Sequence, residues 1–188
     1  MTDTGVESEL KIPVEDHETV RQALRALGAV TIHDMAREEN LLLDSDDRRL
    51  TAAGCVLRLR RYGRRRVLTF KGPVRYDGPV KVRPEYELEI ESVAKMRRVL
   101  EALGFFTLVT YEKDRESWQL GDVSIVLDRT PMGDFVEVEG PIDRVEEVAR
   151  TAGLDPADAV RGSYVSLWHD YRARCPERDL PEDMVFGS

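Results

Sequence analysis

The chain has 188 residues, of which 41% are hydrophobic and 34% are charged, and this length is enough to bury a substantial core in one domain. Its net charge of −8 argues against the proteins that bind nucleic acids through a generally basic surface. No run reaches the roughly 18 consecutive apolar residues of a membrane span, so we expect no contact with a membrane.

The cysteines and the start of the chain indicate the cellular compartment. Cys55 and Cys175 lie far apart and lack the spacing of metal ligands, which predicts free thiols in a reducing compartment. Residues 1–6 are polar and carry no apolar signal region. We therefore expect a cytoplasmic protein with one domain over residues 1–175 and a polar tail over residues 176–188.

Three segments in which acidic and apolar residues alternate predict β-strands. They read ESELKI from Glu7, EYELEI from Glu85 and EVEG from Glu137. Apolar residues at helical spacing follow each segment and end at a glycine, which predicts three amphipathic helices. These glycines are Gly28, Gly104 and Gly153. The chain therefore repeats a strand–helix unit, and such repetition is typical of symmetric or closed folds.

Further strands are predicted between these units, where apolar and polar residues alternate. They cover residues 55–61, 66–71, 107–115 and 122–128. A short apolar run at 41–43 precedes Asp44, and the glycine–proline pairs at 72–73 and 78–79 mark breaks. Apolar spacing predicts a last helix over residues 158–172.

Charged side chains collect on one face of the predicted strands, because residues two apart on a strand point the same way. These charged faces hold Glu7, Glu9, Lys11, Arg58, Arg60, Lys71, Arg83, Glu85, Glu87, Asp128, Glu137 and Glu139. The strand over residues 107–115 is charged on both faces, which predicts an outer face without a helix over it. One face holds Tyr111, Lys113 and Arg115, and the other holds Glu112 and Asp114.

Two interpretations of this pattern are open. In the first, an antiparallel sheet has one solvated face and one face in the core. In the second, about eight strands close into a barrel with a charged lumen and an apolar outside that the helices cover. A charged lumen is costly unless its ions have partners, and a triphosphate with divalent metal ions would partner cations and carboxylates together. The scarcity of Ser, Thr and Gln on the charged faces favours the barrel.

The order of the charged motifs resembles that of the CYTH, or triphosphate tunnel, superfamily. This superfamily includes class IV adenylyl cyclases, thiamine triphosphatases and inorganic triphosphatases. Glu7-x-Glu9-x-Lys11 is similar to its ExExK signature, and the later motifs follow in the same order. They are LRLR at 57–60, LTFKGP at 68–73, RPEYE at 83–87, KDR at 113–115, and Asp128 followed by GDFVEVE at 133–139. The resemblance extends over residues 6–170.

The resemblance implies an α+β fold, a closed antiparallel eight-stranded β-barrel with helices packed outside, and it implies roles for the lumenal residues. The main ligands of a metal ion, Mg²⁺ or Mn²⁺, would be Glu7, Glu9, Glu137 and Glu139. Three further carboxylates would help to hold a metal ion or would orient the cations: Glu85, Glu87 and Asp128. The phosphates would be bound by Lys11, Arg58, Arg60, Lys71, Arg83, Lys113 and Arg115. Glu9, Asp128 and Lys71 would take part in catalysis. Lys71 would be either the base that activates water or one more phosphate clamp.

Two reactions fit the resemblance. Water would release phosphate from tripolyphosphate or from an organic triphosphate such as thiamine triphosphate, whereas the ribose 3′-hydroxyl of ATP would give cyclic AMP and diphosphate. Class IV cyclases carry a His-Phe pair before the first strand, where this chain has TGV at 4–6, and the superfamily's aromatic pair is replaced by Leu42 and Leu43. These departures favour hydrolysis, with a non-catalytic binding module as the third alternative. By analogy with dimeric members we expect a homodimer.

Overall fold

The computed structural model describes residues 6–187, which form nine β-strands and five α-helices. In chain order these are β1 (Val6–Val14), α1 (Glu18–Ala26), β2 (Val30–Asp44), α2 (Arg49–Ala52), β3 (Val56–Tyr62), β4 (Arg65–Lys71), β5 (Arg75–Asp77), β6 (Val80–Glu89), α3 (Val93–Ala102), β7 (Phe106–Leu120), β8 (Val123–Thr130), β9 (Gly133–Glu139), α4 (Ile142–Thr151) and α5 (Tyr164–Arg174). Within this part of the chain no helix is long and apolar enough to cross a bilayer. Cys55 and Cys175 are free, as predicted.

Eight of the strands close into an antiparallel barrel. Their order around it is β1-β9-β8-β7-β2-β3-β4-β6, and β6 pairs again with β1. β5 extends beyond this ring as a hairpin partner of β6. The closure confirms the predicted eight-stranded barrel and excludes the alternative of an open sheet with one solvated face. Barrels of this size are filled by side chains or hold one small ligand.

The three repeated strand–helix units are confirmed as β1–α1, β6–α3 and β9–α4. Gly28, Gly104 and Gly153 follow these helices with φ angles of 76°, 84° and 81°, the left-handed conformation that ends many helices. The three strands lie side by side, because β1 pairs with β6 along one edge and with β9 along the other. The carboxylates that the repeat carries are therefore placed on neighbouring strands.

The hydrophobic core lies between the outer face of the barrel and the helices. Its largest cluster joins the outward side chains of β1, β8 and β9 to α1 and α4. Fully buried members include Leu10, Leu24, Ile125, Val138 and Val145. A smaller cluster under α3 contains Leu43, Leu57, Leu59 and Leu100. Because the apolar faces point outward, alternation along the strands leaves the inward positions to polar and charged side chains.

β2 is much longer than the apolar run that indicated it in the sequence. The apolar run at 41–43 is only the end of this strand, which has 15 residues. The register of β2 against β7 shifts between Thr31 and Ala36. Such irregularities interrupt the alternation by which a strand is identified in a sequence, so the first part of β2 was not predicted.

The last helix is shorter than predicted. α5 begins at Tyr164 rather than at residue 158, because Asp158 closes a short 3₁₀ turn and Gly162 has a φ of 114° that a helix cannot include. The helix starts with a capping box in which Ser163 and Ser166 each accept a hydrogen bond from the other's amide. The aromatic side chain at 164 is consequently placed on the first turn of α5.

Residues 180–186, which belong to the predicted polar tail, pack against the barrel. Met184 is fully buried, and its carbonyl accepts a hydrogen bond of 2.8 Å from the amide of Glu112 on β7. The indole of Trp168 on α5 donates to two carbonyls of the same segment. β8 pairs with β7 only from Asp114 onward, so the segment covers the earlier part of β7 and completes the barrel wall.

The outer face of β7 is charged, as the sequence predicted. Arg37 of β2 donates to Asp114 at 2.6 Å and to Glu112 at 2.8 Å. Arg129 of β8 lies 3.6 Å from the same Asp114. The two arginines are about half exposed, so β7 and β8 carry solvated ion pairs outside and, as described below, buried ion pairs inside.

Candidate active site

The lumen of the barrel contains a cavity of about 510 Å³, a volume in the range of small-molecule sites. Its described wall includes eight cations: Lys11, Arg58, Arg60, Lys71, Lys81, Arg83, Lys113 and Arg115. The wall also includes the carboxylates Glu9, Glu85, Glu87, Glu137 and Glu139. Two more carboxylates, Glu38 and Asp128, are 0% exposed and contact these cations. The cavity is therefore bounded by seven carboxylates and eight cations from the described residues.

The structure brings together nearly all side chains that the resemblance assigned to the site. Every predicted phosphate-binding residue lines the cavity, and so do five of the predicted metal ligands. Asp128 lies behind the cations that line the wall. The side chain of Glu7 lies outside the part of the chain that the structure describes. The positions are thus largely as expected, while the individual roles stay predictions.

Asp128 of β8 is the centre of a buried hydrogen-bond network. Arg115 donates to it from two nitrogens, at 2.7 and 2.6 Å, and Lys113 donates at 2.9 Å. The hydroxyl of Tyr164 donates at 2.8 Å. Since these donors already occupy both carboxylate oxygens, the geometry favours the role of Asp128 in orienting cations over its alternative role as a metal ligand.

The carboxylates of β1 and β9 occupy facing positions. Glu9 is the Cα partner of Glu139, and Lys11 is the Cα partner of Glu137. Glu137 accepts a hydrogen bond from Lys11, and Glu9 accepts one of 2.5 Å from Lys81. Like charges directly opposite each other on neighbouring strands repel. A metal ion bound by both carboxylates would add to the compensation that Lys81 already gives Glu9.

The donor set can be compared with the needs of a divalent metal ion. Among the side chains that the structure describes, which do not include that of Glu7, no three acids, histidines or cysteines converge closely enough to ligate one ion. Glu9 and Glu139 nevertheless offer carboxylate oxygens from adjacent strands, which is the chemistry that Mg²⁺ and similar hard cations prefer. Glu7, two residues before Glu9, is the third candidate ligand by sequence. The pair therefore has the donor chemistry of an oxygen-liganded metal site, while the metal ion itself stays a prediction.

β6 carries a second pair of carboxylates, which face cations and polar groups of β3 and β4. Lys71 donates to Glu85 at 2.6 Å, and Thr69 donates to Glu87 at 3.0 Å. Arg58 lies 3.8 Å from Glu85 and 3.6 Å from Glu87. The carboxylate of Glu85 attracts the ammonium group of Lys71, an arrangement that suits a phosphate clamp better than a proton acceptor.

Arg83 differs from the other predicted phosphate ligands, because its guanidinium also holds the backbone. It donates from Nε to the carbonyl of Gly72 at 2.9 Å, and another of its nitrogens donates to the carbonyl of Gly54 at 3.3 Å. The amide of Gly72 donates in turn to the carbonyl of Pro84 at 2.8 Å. Arg83 therefore fixes the turn that follows β4, and its contact with phosphate stays a prediction.

Comparison with known protein families agrees with this geometry. The CYTH domain model matches residues 5–164, which is most of the chain. The chain belongs to the CYTH family. The closed barrel and the charged lumen of the described residues are thus the CYTH fold with the charge pattern that the sequence motifs predicted.

Several proteins similar to this CYTH chain carry names that refer to nucleotide chemistry. The Methanocaldococcus jannaschii protein "Putative adenylate cyclase MJ0240" is 27% identical over 173 residues, which cover 86% of this chain and 98% of that protein. A Vibrio parahaemolyticus structure, described as "a putative adenylate cyclase", has a TM-score of 0.78 at 22% identity and covers 87% of this chain and 97% of its own.

Another similar structure is described with a different activity. "Putative adenylyl cyclase HpAC1" from Hippeastrum, described as having a dominant triphosphatase activity, has a TM-score of 0.62 at 18% identity. The match covers 87% of this chain and 95% of that one. At this level of identity the likeness establishes the shared fold.

The sequence prediction missed several described residues at the lumen of the CYTH barrel, among them Glu38, Lys81 and Tyr164. Tyr111 was placed on the same strand face as Lys113 and Arg115, but it was given no role. Glu38 stands in the run REEN, where two adjacent acids conceal the alternation. Lys81 follows the break at 78–79, yet it alternates with the buried Val80 and Val82, and this signal was available. Tyr164 falls within the predicted last helix, where strand alternation gives no signal.

Tyr164 and Tyr111 both lie beside lumenal cations, and their pKa values shift in opposite directions. The centroid of the Tyr164 ring lies 4.0 Å from Nζ of Lys11 and 4.6 Å from Nζ of Lys113, in cation–π contacts. Burial and nearby carboxylates raise the pKa of Tyr164 well above its usual value, so this hydroxyl stays a neutral donor. Burial would also raise the pKa of Tyr111, but the cations around it, led by Arg58, lower that pKa overall.

The buried ions keep one another charged. Burial alone would raise the pKa values of Glu38 and Glu137, but neighbouring cations outweigh it and hold both pKa values well below the usual 4.5. Burial likewise opposes the charged forms of Lys11 and Arg115, whereas the carboxylates around them raise both pKa values overall. Neutralising one member of the network therefore removes part of the electrostatic stabilisation that keeps the others charged.

We expect the free energy of unfolding to fall on acidification. The folded-state pKa values of Glu38 and Glu137 are depressed, so their contribution to stability is fully present above the unfolded pKa near 4.5 and is lost as the pH falls toward the folded values. Urea unfolding at about pH 7, 5, 4 and 3 measures this change. A Glu38→Gln variant should show a smaller decrease. Constant stability of the wild type over the acid range would contradict the expectation.

Proposed function

We propose that this CYTH protein is a metal-dependent triphosphatase that hydrolyses tripolyphosphate or an organic triphosphate inside the barrel. The observation that carries the proposal is a single cavity in which the facing carboxylates Glu9 and Glu139 adjoin a group of lysines and arginines. Carboxylates bind divalent cations through oxygen, and lysine and arginine bind phosphate. Phosphoryl transfer depends mainly on positioning and charge neutralisation, which such a lumen can provide.

The charge of the lumen supports a requirement for metal ions. In the described part of the chain, eight cations face seven carboxylates, so the lumen is close to neutral before substrate binds. A triphosphate adds several negative charges, and a divalent cation would offset part of them. We infer that Glu9 and Glu139, together with Glu7, hold Mg²⁺ or Mn²⁺. A bound metal ion supplies Lewis acidity at a phosphoryl oxygen.

The side chains of the barrel would position the phosphate chain for attack by water. Lys11 donates to Glu137, whereas Lys113 and Arg115 donate to Asp128. These three cations offer charged donors to phosphate oxygens. Water attacks the terminal phosphorus, and the bond from that phosphorus to the bridging oxygen breaks. The proton of the water passes to a phosphate oxygen or to solvent, and the cations neutralise the charge on the leaving oxygen. In this proposal Lys71, held by Glu85, binds phosphate.

Cyclisation of ATP is the second candidate function, and the name of the Methanocaldococcus relative favours it. The activity described for the Hippeastrum protein favours hydrolysis. Leu42, Val56 and Val165 form an apolar part of the cavity wall, which suits the organic group of ATP or thiamine triphosphate better than an inorganic chain. Residues 4 and 5, where the His-Phe pair of the cyclases is missing, lie outside the described residues.

Phosphorus NMR of the purified protein with Mg²⁺ and equal amounts of ATP and tripolyphosphate tests the proposal. We expect loss of a triphosphate with growth of orthophosphate, and no cyclic AMP. A parallel sample with EDTA should show no turnover. The same spectra identify which of the two triphosphates is consumed first.

The other outcomes of this experiment are equally distinct. Cyclic AMP with diphosphate would overturn hydrolysis and establish cyclase activity. Binding of tripolyphosphate without turnover, with thiamine triphosphate also left intact in a parallel sample, would establish a non-catalytic binding module. Turnover that persists in EDTA would contradict the requirement for a metal ion.

A further inference from the structure

Glu38 of β2 is a buried carboxylate that the proposed reaction does not use. Its side chain is 0% exposed, and it is located among three of the cations assigned to phosphate. Arg60 lies at 3.4 Å, Lys113 at 3.6 Å and Arg115 at 3.7 Å from its oxygens. Glu38 therefore faces the cationic group from the side of the β2 wall.

The contacts of Glu38 are looser than those of the other buried carboxylates. Oε1 accepts a hydrogen bond of 3.0 Å from the side-chain amide of Asn40, while Oε2 is buried and has no hydrogen-bond partner among the described residues. Asp128, by contrast, accepts from Arg115 and Lys113 at 2.6 to 2.9 Å. A buried carboxylate without close partners is costly, so its charge is stabilised here by the field of the three cations.

We propose that Glu38 is an internal counter-anion, which balances the phosphate-binding cations in the empty lumen and weakens their hold on a bound phosphate chain. The inference depends on the proposed function, because it requires that phosphates bind in this lumen. Arg60, Lys113 and Arg115 are each shared between Glu38 and the phosphates. The negative charge of Glu38 repels the phosphate oxygens, and this repulsion assists release of the product.

Diphosphate is the suitable probe, because both hydrolysis of tripolyphosphate and cyclisation of ATP release it. Isothermal titration calorimetry gives its Kd for the wild type, for Glu38→Gln and for a control, Glu39→Gln. Glu39 is the next residue on β2 but pairs with Arg61 on the outer face at 2.9 Å. We expect Glu38→Gln to bind diphosphate about tenfold more tightly than the wild type, and we expect Glu39→Gln to leave the Kd unchanged.

Steady-state kinetics provide a second readout. If release of product limits turnover, Glu38→Gln should lower kcat and KM together, since the lumen would have a higher affinity for both product and substrate. A positioning role for Glu38 predicts the opposite sign in both measurements, with weaker binding and a higher KM. Unchanged or weaker binding of diphosphate by Glu38→Gln would overturn the proposal.

Stability measurements keep the test decisive if the variant folds poorly. Removing the carboxylate leaves the three neighbouring cations less compensated, so the Tm of Glu38→Gln should fall without ligand and rise more than that of the wild type when diphosphate is added. A variant that stays unfolded with diphosphate present would also contradict the proposal, because the anion should replace the missing charge. A wild type that binds no diphosphate would instead refute the proposed function.

Discussion

Replacing Glu9 by alanine is expected to lower the Mg²⁺-dependent turnover of triphosphate by at least about a hundredfold while the barrel stays folded. Glu9 is 6% exposed and faces Glu139 across β1 and β9, so the change removes one of the two facing carboxylates proposed to hold the metal ion. Its partner Lys81 is not fully buried, with 14% of its side chain exposed. The ammonium left behind can therefore be hydrated, and the cost in stability should be small beside the loss of turnover.

Release of orthophosphate under saturating Mg²⁺ measures the loss of turnover, and circular dichroism verifies the fold. Glu39→Ala is the matched control, because it removes a carboxylate that pairs with Arg61 on the outer face. This control should retain wild-type turnover. Binding of tripolyphosphate by Glu9→Ala in EDTA should persist, since the cations of the lumen are unchanged. Full activity of Glu9→Ala would show that the metal site has been assigned to the wrong residues.

The lumen could be predicted to a large extent because one physical rule decides which way each strand residue points. Charged and apolar residues alternate along β6 and over residues 57–60 of β3, so the sequence alone places Arg58 and Arg60 on one face of β3 and Glu85 and Glu87 on one face of β6. The helices indicated that the apolar face must be covered from outside. This covering favours a closed barrel over an open sheet with one solvated face.

Local alternation could not predict where the pattern is irregular or where distant elements enter the lumen. Glu38 stands in a strand whose register shifts earlier, between Thr31 and Ala36, and whose charged run conceals the inward face. Tyr164 reaches the cations from the start of a helix, and this contact depends on how α5 packs on the barrel. Met184 lies in a segment of polar composition and is nevertheless fully buried.

The pairing of the lumenal charges was the least predictable feature. Strand faces show which charges point inward, but they do not show that Asp128 binds Arg115 through two nitrogens or that Glu137 is held by Lys11. Such contacts depend on the register between strands, which is set by the whole barrel. The register of β7 against β8 places Arg115 opposite Asp128 and so determines the most buried part of the network.

That register leads to the second large effect, on stability rather than activity. Arg115→Ala is expected to lower the free energy of unfolding by about 3–5 kcal/mol, because removing one partner of a buried ion pair leaves the other poorly compensated. Asp128 is 0% exposed and would retain only its contacts with Lys113 and Tyr164 among the described residues. Glu137 would also lose a donor. Urea unfolding at neutral pH measures the change.

The same two strands provide the control on their outer face. Asp114 of β7 is the register partner of Arg129 of β8, and Arg129 is exposed, so Arg129→Ala should cost less than about 1 kcal/mol. Adding Asp128→Asn to Arg115→Ala should restore part of the lost stability, since it removes the buried charge that has lost its two hydrogen bonds from Arg115. Equal losses for the inner and outer arginines, or additive losses in the double variant, would mean that the lumenal ions are solvated and that the barrel does not enclose them.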